Sequence, residues 1–311
     1  MSRSRGTAVA IALLGAALAA AGCGLGAGEG VGDVTLTVTR DYGARPLLAP
    51  RREAASESDT AMRLLDREAE ISTRYGGGFV QSIDGLSEAS RDGGRFDWFF
   101  YVNGVESPVG AADYPLHGGD AVWWDYRDWS AAQSVPAVVG SWPQPFRDGY
   151  EGRSRPVAVE CLGGEPSCGE VGARLRAAGA PLAAGGSPEG AIRVLVGPWA
   201  RLRDDPAAAR LEQGPPASGV FADFAGAGAG GYRLEGLDQG GGEARAFGPG
   251  AGLVAATRRY EAPPVWLVTG ATKRGVAAAA RLLDAADLRD HYAVAVEAGR
   301  ETPLPIGASE R

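Results

Sequence analysis

From residue 33 the chain alternates strictly, with Val34, Leu36 and Val38 apolar and Thr35, Thr37 and Thr39 polar, which predicts a strand with one buried face. Residues 45–57 are polar and read as a loop. The run SDTAMRLLDREAEISTRY (58–75) then changes period. Asp59 or Thr60 can cap a helix that places Met62, Leu65 and Ala69 on one face, with the glycines at 76–78 ending it. FVQSIDGL (79–86) reads as a short strand and turn, SEASRDGGR as a hairpin loop, and FDWFFYVNGV as a strand ending in Asn103-Gly104. That dipeptide favours the type I′ hairpin turn, which needs positive φ at both positions. A second tight turn at Gly118-Gly119-Asp120 leads into the strand AVWWDYRD. The order strand, helix, strand, strand, strand suits a helix laid over one face of a small mixed sheet, a β-grasp-like domain over 33–133.

The rhythm changes after a Pro/Trp/Gly-punctuated segment (134–155) that reads as a linker or a strap crossing between domains. Strands are expected at PVAVEC, AIRVLVG, GVFADF, GLVAATRRY, PVWLVTG and, last, HYAVAV. Helices are expected at CGEVGARLRAAG, DDPAAARLEQG (Pro206 in its first turn) and TKRGVAAAARLLDAADL, with a hairpin in the Gly-rich stretch between 225 and 252. This alternation makes 156–300 an α/β domain of unassigned topology, followed by a tail at 301–311. The fold class is therefore α+β.

The first residues change the picture of where the protein works. Arg3 and Arg5 precede an uncharged apolar run from Ala8 to Ala21, shorter than the roughly 20 residues a membrane span needs. The run ends in LAAAGC, which resembles a bacterial lipobox. The expectation is a signal peptide (1–22), lipidation of Cys23, a Gly-rich tether (23–32) and a folded part held on the outer side of the cell membrane. The other two cysteines, Cys161 and Cys168, would form a disulfide in that oxidising compartment, with two free thiols as the alternative. The formal net charge is −7 and Lys273 is the only lysine, so there is no clustered basic face for nucleic acid.

Four of the seven tryptophans fall between 96 and 129, in a chain that is only 8% aromatic. Trp98, Tyr101, Asn103, Gly104, Tyr114, Leu116, Gly119, Asp120 and Trp124 follow an order that resembles the transcobalamin C-terminal-like domain family. Most members of that family are uncharacterised bacterial surface proteins, and its characterised relatives close over a corrinoid. The resemblance covers about a third of the chain. No helical barrel precedes the domain here, and the α/β half has no counterpart in the family. It implies a β-grasp fold and a small-molecule ligand, with cobalamin as a candidate ligand rather than a catalytic cofactor.

Adjacent Trp123 and Trp124 must face opposite sides of their strand. Aromatics on both faces mean either a sheet covered by the second domain or a flat apolar ligand surface. The ligand-binding candidates are Trp98, Tyr101, Asn103, Tyr114, His117, Trp123, Trp124 and Tyr126. His117 could ligate cobalt in principle but reads more simply as an exposed loop residue, and no metal site is expected. Asp125 and Asp128 beside the tryptophans leave a carbohydrate-binding module open. VTGATKRG lacks the spacing of a phosphate loop, and no nucleophile is paired with a base, so no catalytic residues are assigned. The leading expectation is a non-catalytic lipoprotein that captures a small ligand for a membrane transporter. The alternative is a structural or protein-interaction protein whose aromatics form a domain interface.

Overall fold

A computed structural model of the chain describes residues 28–307 except 92, 164, 165 and 229. The signal segment 1–22 and Cys23 lie outside the described residues. Among the described residues no helix is long and apolar enough to cross a membrane.

Strand β1 (Gly30–Arg40) begins inside the segment expected to be a tether. It is paired antiparallel with β2 (Arg45–Ser56), where a loop was expected. β2 is an edge strand exposed along most of its length, so no buried face imposed an alternation on its sequence. Helix α1 (Ala61–Glu68) starts where Thr60 caps it by accepting from the Arg63 N–H. It is half the expected length and ends at Ala69, because Ile71–Arg74 (β3) pairs with β4 (Phe79–Ile83) and on to β5 (Leu86–Ser87) in a small separate sheet. The expected hairpin loop contains β6 (Ala89–Arg91), which pairs with β7 (Gly94–Val102). Asn103 (φ 55) and Gly104 (φ 75) then turn the chain into β8 (Val105–Glu106), as their chemistry requires. β9 (Ala121–Asp128) inserts between β1, to which it is parallel, and β7, to which it is antiparallel. Ala61, Met62, Leu64 and Leu65 of α1 bury against Val34, Leu36, Val38, Val122 and Trp124 on one face of this sheet.

The second half is built on a mixed sheet in the order β10 (Val157–Cys161), β11 (Ile192–Pro198), β16 (Val265–Gly270), β15 (Gly252–Thr257), β17 (Ala293–Glu297), β18 (Arg300–Leu304). Between β10 and β11 lies α2 (Ser167–Ala177). After β11 come two single-turn helices, α3 (Trp199–Leu202) and α4 (Pro215–Ser218). The segment after Pro206 forms a 3-10 turn over Ala208–Gln213 rather than the expected helix. The Gly-rich stretch does carry a hairpin: β12 (Ala222–Gly226), β13 (Tyr232–Leu237) and β14 (Glu243–Ala246) make a separate antiparallel sheet. β15 (Gly252–Thr257) and β16 (Val265–Gly270) follow. The long helix expected after Thr272 is split into α5 (Lys273–Ala280) and α6 (Ala285–Leu288), because the Asp284 carboxylate caps a new start. β17 (Ala293–Glu297) is not the last strand. The expected tail forms β18 (Arg300–Leu304), paired antiparallel with it.

α2 and α5 cover one face of the second sheet with Val171, Leu175, Val276 and Ala279. The other face contributes Leu195, Leu253, Ala255, Leu267 and Ala295 to a cluster that also holds Tyr42, Tyr101 and Trp123 of the first half. One apolar core therefore runs through both halves. The segment 134–155 is buried too: Val135 and Val138 lie in this core, and Val139, Phe146 and Tyr150 in the cluster on the helix-covered face of the second sheet. Cys161 and Cys168 are joined as a disulfide.

Candidate functional site

The alternation along β7 and β9 splits the aromatic cluster into two. On one face Tyr101 and Trp123 meet Tyr292 of the second half, with ring centroids 5.6 and 5.3 Å from it, and Tyr42 packs on Phe221 at 5.0 Å. Two glycines permit the approach. A Cβ on Gly43 would lie 1.7 Å from the Asp290 carbonyl oxygen, and one on Gly140 would meet His291 and Trp123 at 2.7–2.8 Å. This face is an interface between the halves.

The polar residues beside these rings are interior too. Asp125, which with Asp128 left a carbohydrate-binding module open, is fully buried. It accepts from Thr39 Oγ1 at 2.5 Å, the Tyr42 and Gly43 N–H groups at 3.0 Å and Tyr292 Oη at 3.0 Å. Burial nevertheless pushes its carboxyl upward, against these bonds and the charge of Arg127. Arg127 is buried as well. It donates to the carbonyls of Ala132 (2.7 Å) and Gln133 (3.1 Å), with its guanidinium 3.7 Å from the centroid of Phe99. Asp128 accepts from the Arg95 and Ser130 N–H groups. Neither carboxylate is available to a glycan, and the open aromatic platform a carbohydrate module needs does not form around them.

The other candidates divide further. Asn103 is a turn residue that donates to Asp120 and to the Gly149 carbonyl, both at 2.9 Å. Asp120 in turn accepts from the His117 N–H, the capping role expected of it. His117 is half-exposed with Nδ1 3.5 Å from Asp120. Among the described residues no group of three His, Cys, Asp or Glu could hold a metal ion. Tyr114 is buried under α1, and Tyr126 is in the same core, donating to the Ser87 carbonyl at 2.7 Å.

Trp98 and Trp124 are brought together. β6 pairs only with Gly94–Phe96 and β8 only with Tyr101–Val102, so Asp97–Phe100 have no strand on that side of β7. At this gap lies a cleft of about 350 Å³, lined by Trp98, Phe100, Trp124 and Phe79 on the α1 side and reaching Phe99 and Trp129 around the strand. Phe100 and Trp124 stack at 4.9 Å. Trp98 Nε1 donates to the Leu86 carbonyl at 2.7 Å, whereas the buried Trp124 Nε1 meets no acceptor. Two carboxyls line the same cleft. Asp97 accepts from the Trp98 N–H at 2.8 Å and Glu106 accepts from Ser134, and burial raises both above the usual carboxylate range. Phe79, Asp97, Phe99, Phe100, Glu106 and Trp129 were not anticipated as site residues. The signal that could have found them was the Asn103-Gly104 turn followed, after two residues, by Ser107-Pro108, which stops β8 and leaves one edge of the middle of β7 without a partner.

A second cleft, of about 340 Å³, lies between the halves. Trp123 and the hydroxyl-bearing Thr35, Thr37 and Ser141 line it, with Arg147, Arg289 and Asp290. The Asp290 carboxyl is raised to about 6, chiefly by burial.

The family model described as a domain of unknown function (DUF4430) matches residues 58–128, within the stretch that resembles transcobalamin C-terminal-like domains. Among solved structures, the chain is similar to haptocorrin in complex with Cbi, at 14% identity and a TM-score of 0.26 over 31% of this chain. It spans only 25% of that haptocorrin chain. It is also similar to a Ruminococcus gnavus protein described as a candidate metal-binding protein, at 17% identity and a TM-score of 0.25, over 31% of this chain and 97% of that one. No curated protein matches the chain.

Proposed function

We propose that this protein is a non-catalytic, extracytoplasmic binding protein, anchored through Cys23, that captures a small and largely apolar ligand in the cleft beside β7 and delivers it to a membrane transporter. The observation that carries this reading is the cleft itself. A concave, aromatic-lined site with a few polar groups is the usual form of a small-molecule site, and about 350 Å³ falls within the ordinary range of roughly 300–1,000 Å³. Trp124 adds a buried donor that its own protein leaves unmet, a position for an acceptor atom of the ligand or a water. The lipid anchor keeps the binder close to the transporter and raises its local concentration there.

The resemblance to transcobalamin C-terminal-like domains makes a corrinoid the first compound to try. Such a macrocycle could place only an edge in a cleft of this size, and His117 does not line it. The alternative, that the aromatics serve as a domain interface, describes Tyr101 and Trp123 but leaves the cleft beside Trp98 and Trp124 without a purpose.

The test is a titration of the full chain in detergent with cobinamide, cobalamin and a panel of small aromatic compounds, followed by tryptophan fluorescence and calorimetry. Saturable binding weakened about tenfold or more by Phe100→Ala supports the reading. Saturation that Phe100→Ala leaves unchanged would move the ligand to another site. No saturation with any compound would leave the cleft without a binding role.

A further inference from the structure

The cleft beside β7 combines aromatic walls with charge of one sign. Its lining includes Asp97 and Glu106 but, among the described residues, no Lys, Arg or His. The electron-rich faces of Trp98, Phe100 and Trp124 attract cations, most strongly where water is excluded. Two rings at the far end of the same lining already show this behaviour within the protein. Arg127 lies 3.7 Å from the centroid of Phe99 and Arg95 lies 3.7 Å from that of Trp129. Resting on the reading of this cleft as a ligand site, we propose that it selects an organic cation: an aryl- or alkyl-ammonium whose apolar body stacks among Trp98, Phe100 and Trp124 on the α1 face while its charge reaches round the unpaired edge of β7 to the carboxylates of Asp97 and Glu106 on the opposite face.

The surroundings of the two carboxyls favour this over an anion or a neutral ligand. Asp97 is faced by Arg74 and Glu88, which are paired with each other at 2.9 Å and so offer it little net charge. Glu106 is faced by Ser134, the Val135 N–H and Arg127, whose guanidinium is committed to the carbonyls of Ala132 and Gln133. In both cases burial outweighs these neighbours and holds the carboxyl above its usual range. A bound ammonium adds a cation to a lining that has none among the described residues and favours the ionised form of both carboxyls. Trp124 Nε1 fits the same ligand if an ether, ester or hydroxyl oxygen lies along its body.

The experiment compares phenylbutylamine, phenylbutanol and phenylbutyrate, three probes of matched shape that differ in charge, binding to the full chain. The amine is expected to bind about tenfold tighter than the alcohol and the carboxylate weakest of the three. Asp97→Asn and Glu106→Gln, which keep the acceptors for the Trp98 N–H and Ser134, should each weaken the amine severalfold and leave the alcohol unchanged. The alcohol's unchanged affinity also shows that the variants are folded. Equal affinities for amine and alcohol, or an amine affinity untouched in the double variant, overturn the cation proposal while the cleft remains a ligand site. Failure of all three probes and of the corrinoids removes both.

Discussion

The hydroxyl of Tyr292 donates to the carboxylate of Asp125 at 3.0 Å, joining residues 167 apart in sequence and binding the two halves through a buried charge. Removing that hydroxyl takes one of two donors from a buried carboxyl oxygen, which keeps only the Tyr42 N–H. Tyr292→Phe should therefore cost about 1–3 kcal/mol, read as a lower midpoint in urea. Because one core contains Tyr101, Trp123, Leu253 and Tyr292 alike, fluorescence and far-ultraviolet circular dichroism should report a single coincident transition. Two separated transitions would show that the halves are independently stable and the contact incidental.

Gly43 should tolerate no side chain. Its φ is +84°, and a Cβ would fall 1.7 Å from the Asp290 carbonyl oxygen, so backbone must move on one side or the other of the interface. Gly43→Ala is expected to cost about 2–4 kcal/mol from the combined conformational strain and overpacking. Gly169→Ala in α2, where nothing lies within 4 Å of the added carbon, should be neutral or stabilise by up to about 1 kcal/mol. Equal losses at the two positions would mean that the Gly43 contact is not as close as described.

Local chemistry in the sequence located the turns and caps well. Asn103-Gly104, the Asp120 turn and the Thr60 cap each depend on residues within a few positions of one another. What escaped depends on distance. β2 has no buried face to impose a period. Asp125 and Asp128 read as surface acids because Tyr292 and the loop bearing Tyr42 and Gly43, which bury them, lie on other elements. Of the eight ligand candidates only Trp98 and Trp124 line the cleft. A cleft is a gap between strands, and a pattern of residue types marks what is present rather than what fails to pair.

Asp290 supplies a pH dependence. Burial raises its carboxyl from 3.8 to about 6, with the charge of Asp125 adding to the shift and Arg289 opposing it. The folded state therefore holds this proton more tightly than the unfolded chain. The resulting stability is fully present below about pH 3.8 and is lost as pH rises through about 6. Asp290→Asn stays neutral and also accepts the left-handed backbone at this position (φ 59), so it should lack that decline. Relative to the parent, the variant should gain about 1–2 kcal/mol between pH 4 and pH 7, after discounting for partial solvent screening. Parallel stability curves for the two proteins across this range would contradict the assignment.

Trp98 and Trp124 offer the sharpest contrast, because they line one cleft with opposite hydrogen-bonding states. Trp98 Nε1 is bonded to the Leu86 carbonyl, so Trp98→Phe removes a donor and strands an acceptor at the junction with the small β3–β4–β5 sheet. That change should destabilise by about 1–3 kcal/mol. Trp124 Nε1 has no acceptor, so Trp124→Phe loses ring area but also removes a buried donor that the fold leaves unmet. Those effects oppose each other, and stability should change by less than about 1 kcal/mol. If the ligand places an acceptor on that nitrogen, the same substitution should weaken binding by about fivefold to tenfold, which a calorimetric titration reads directly. Trp124 would then be a residue kept for the ligand rather than for the fold. A large loss of stability in Trp124→Phe with ligand affinity unchanged would reverse that assignment.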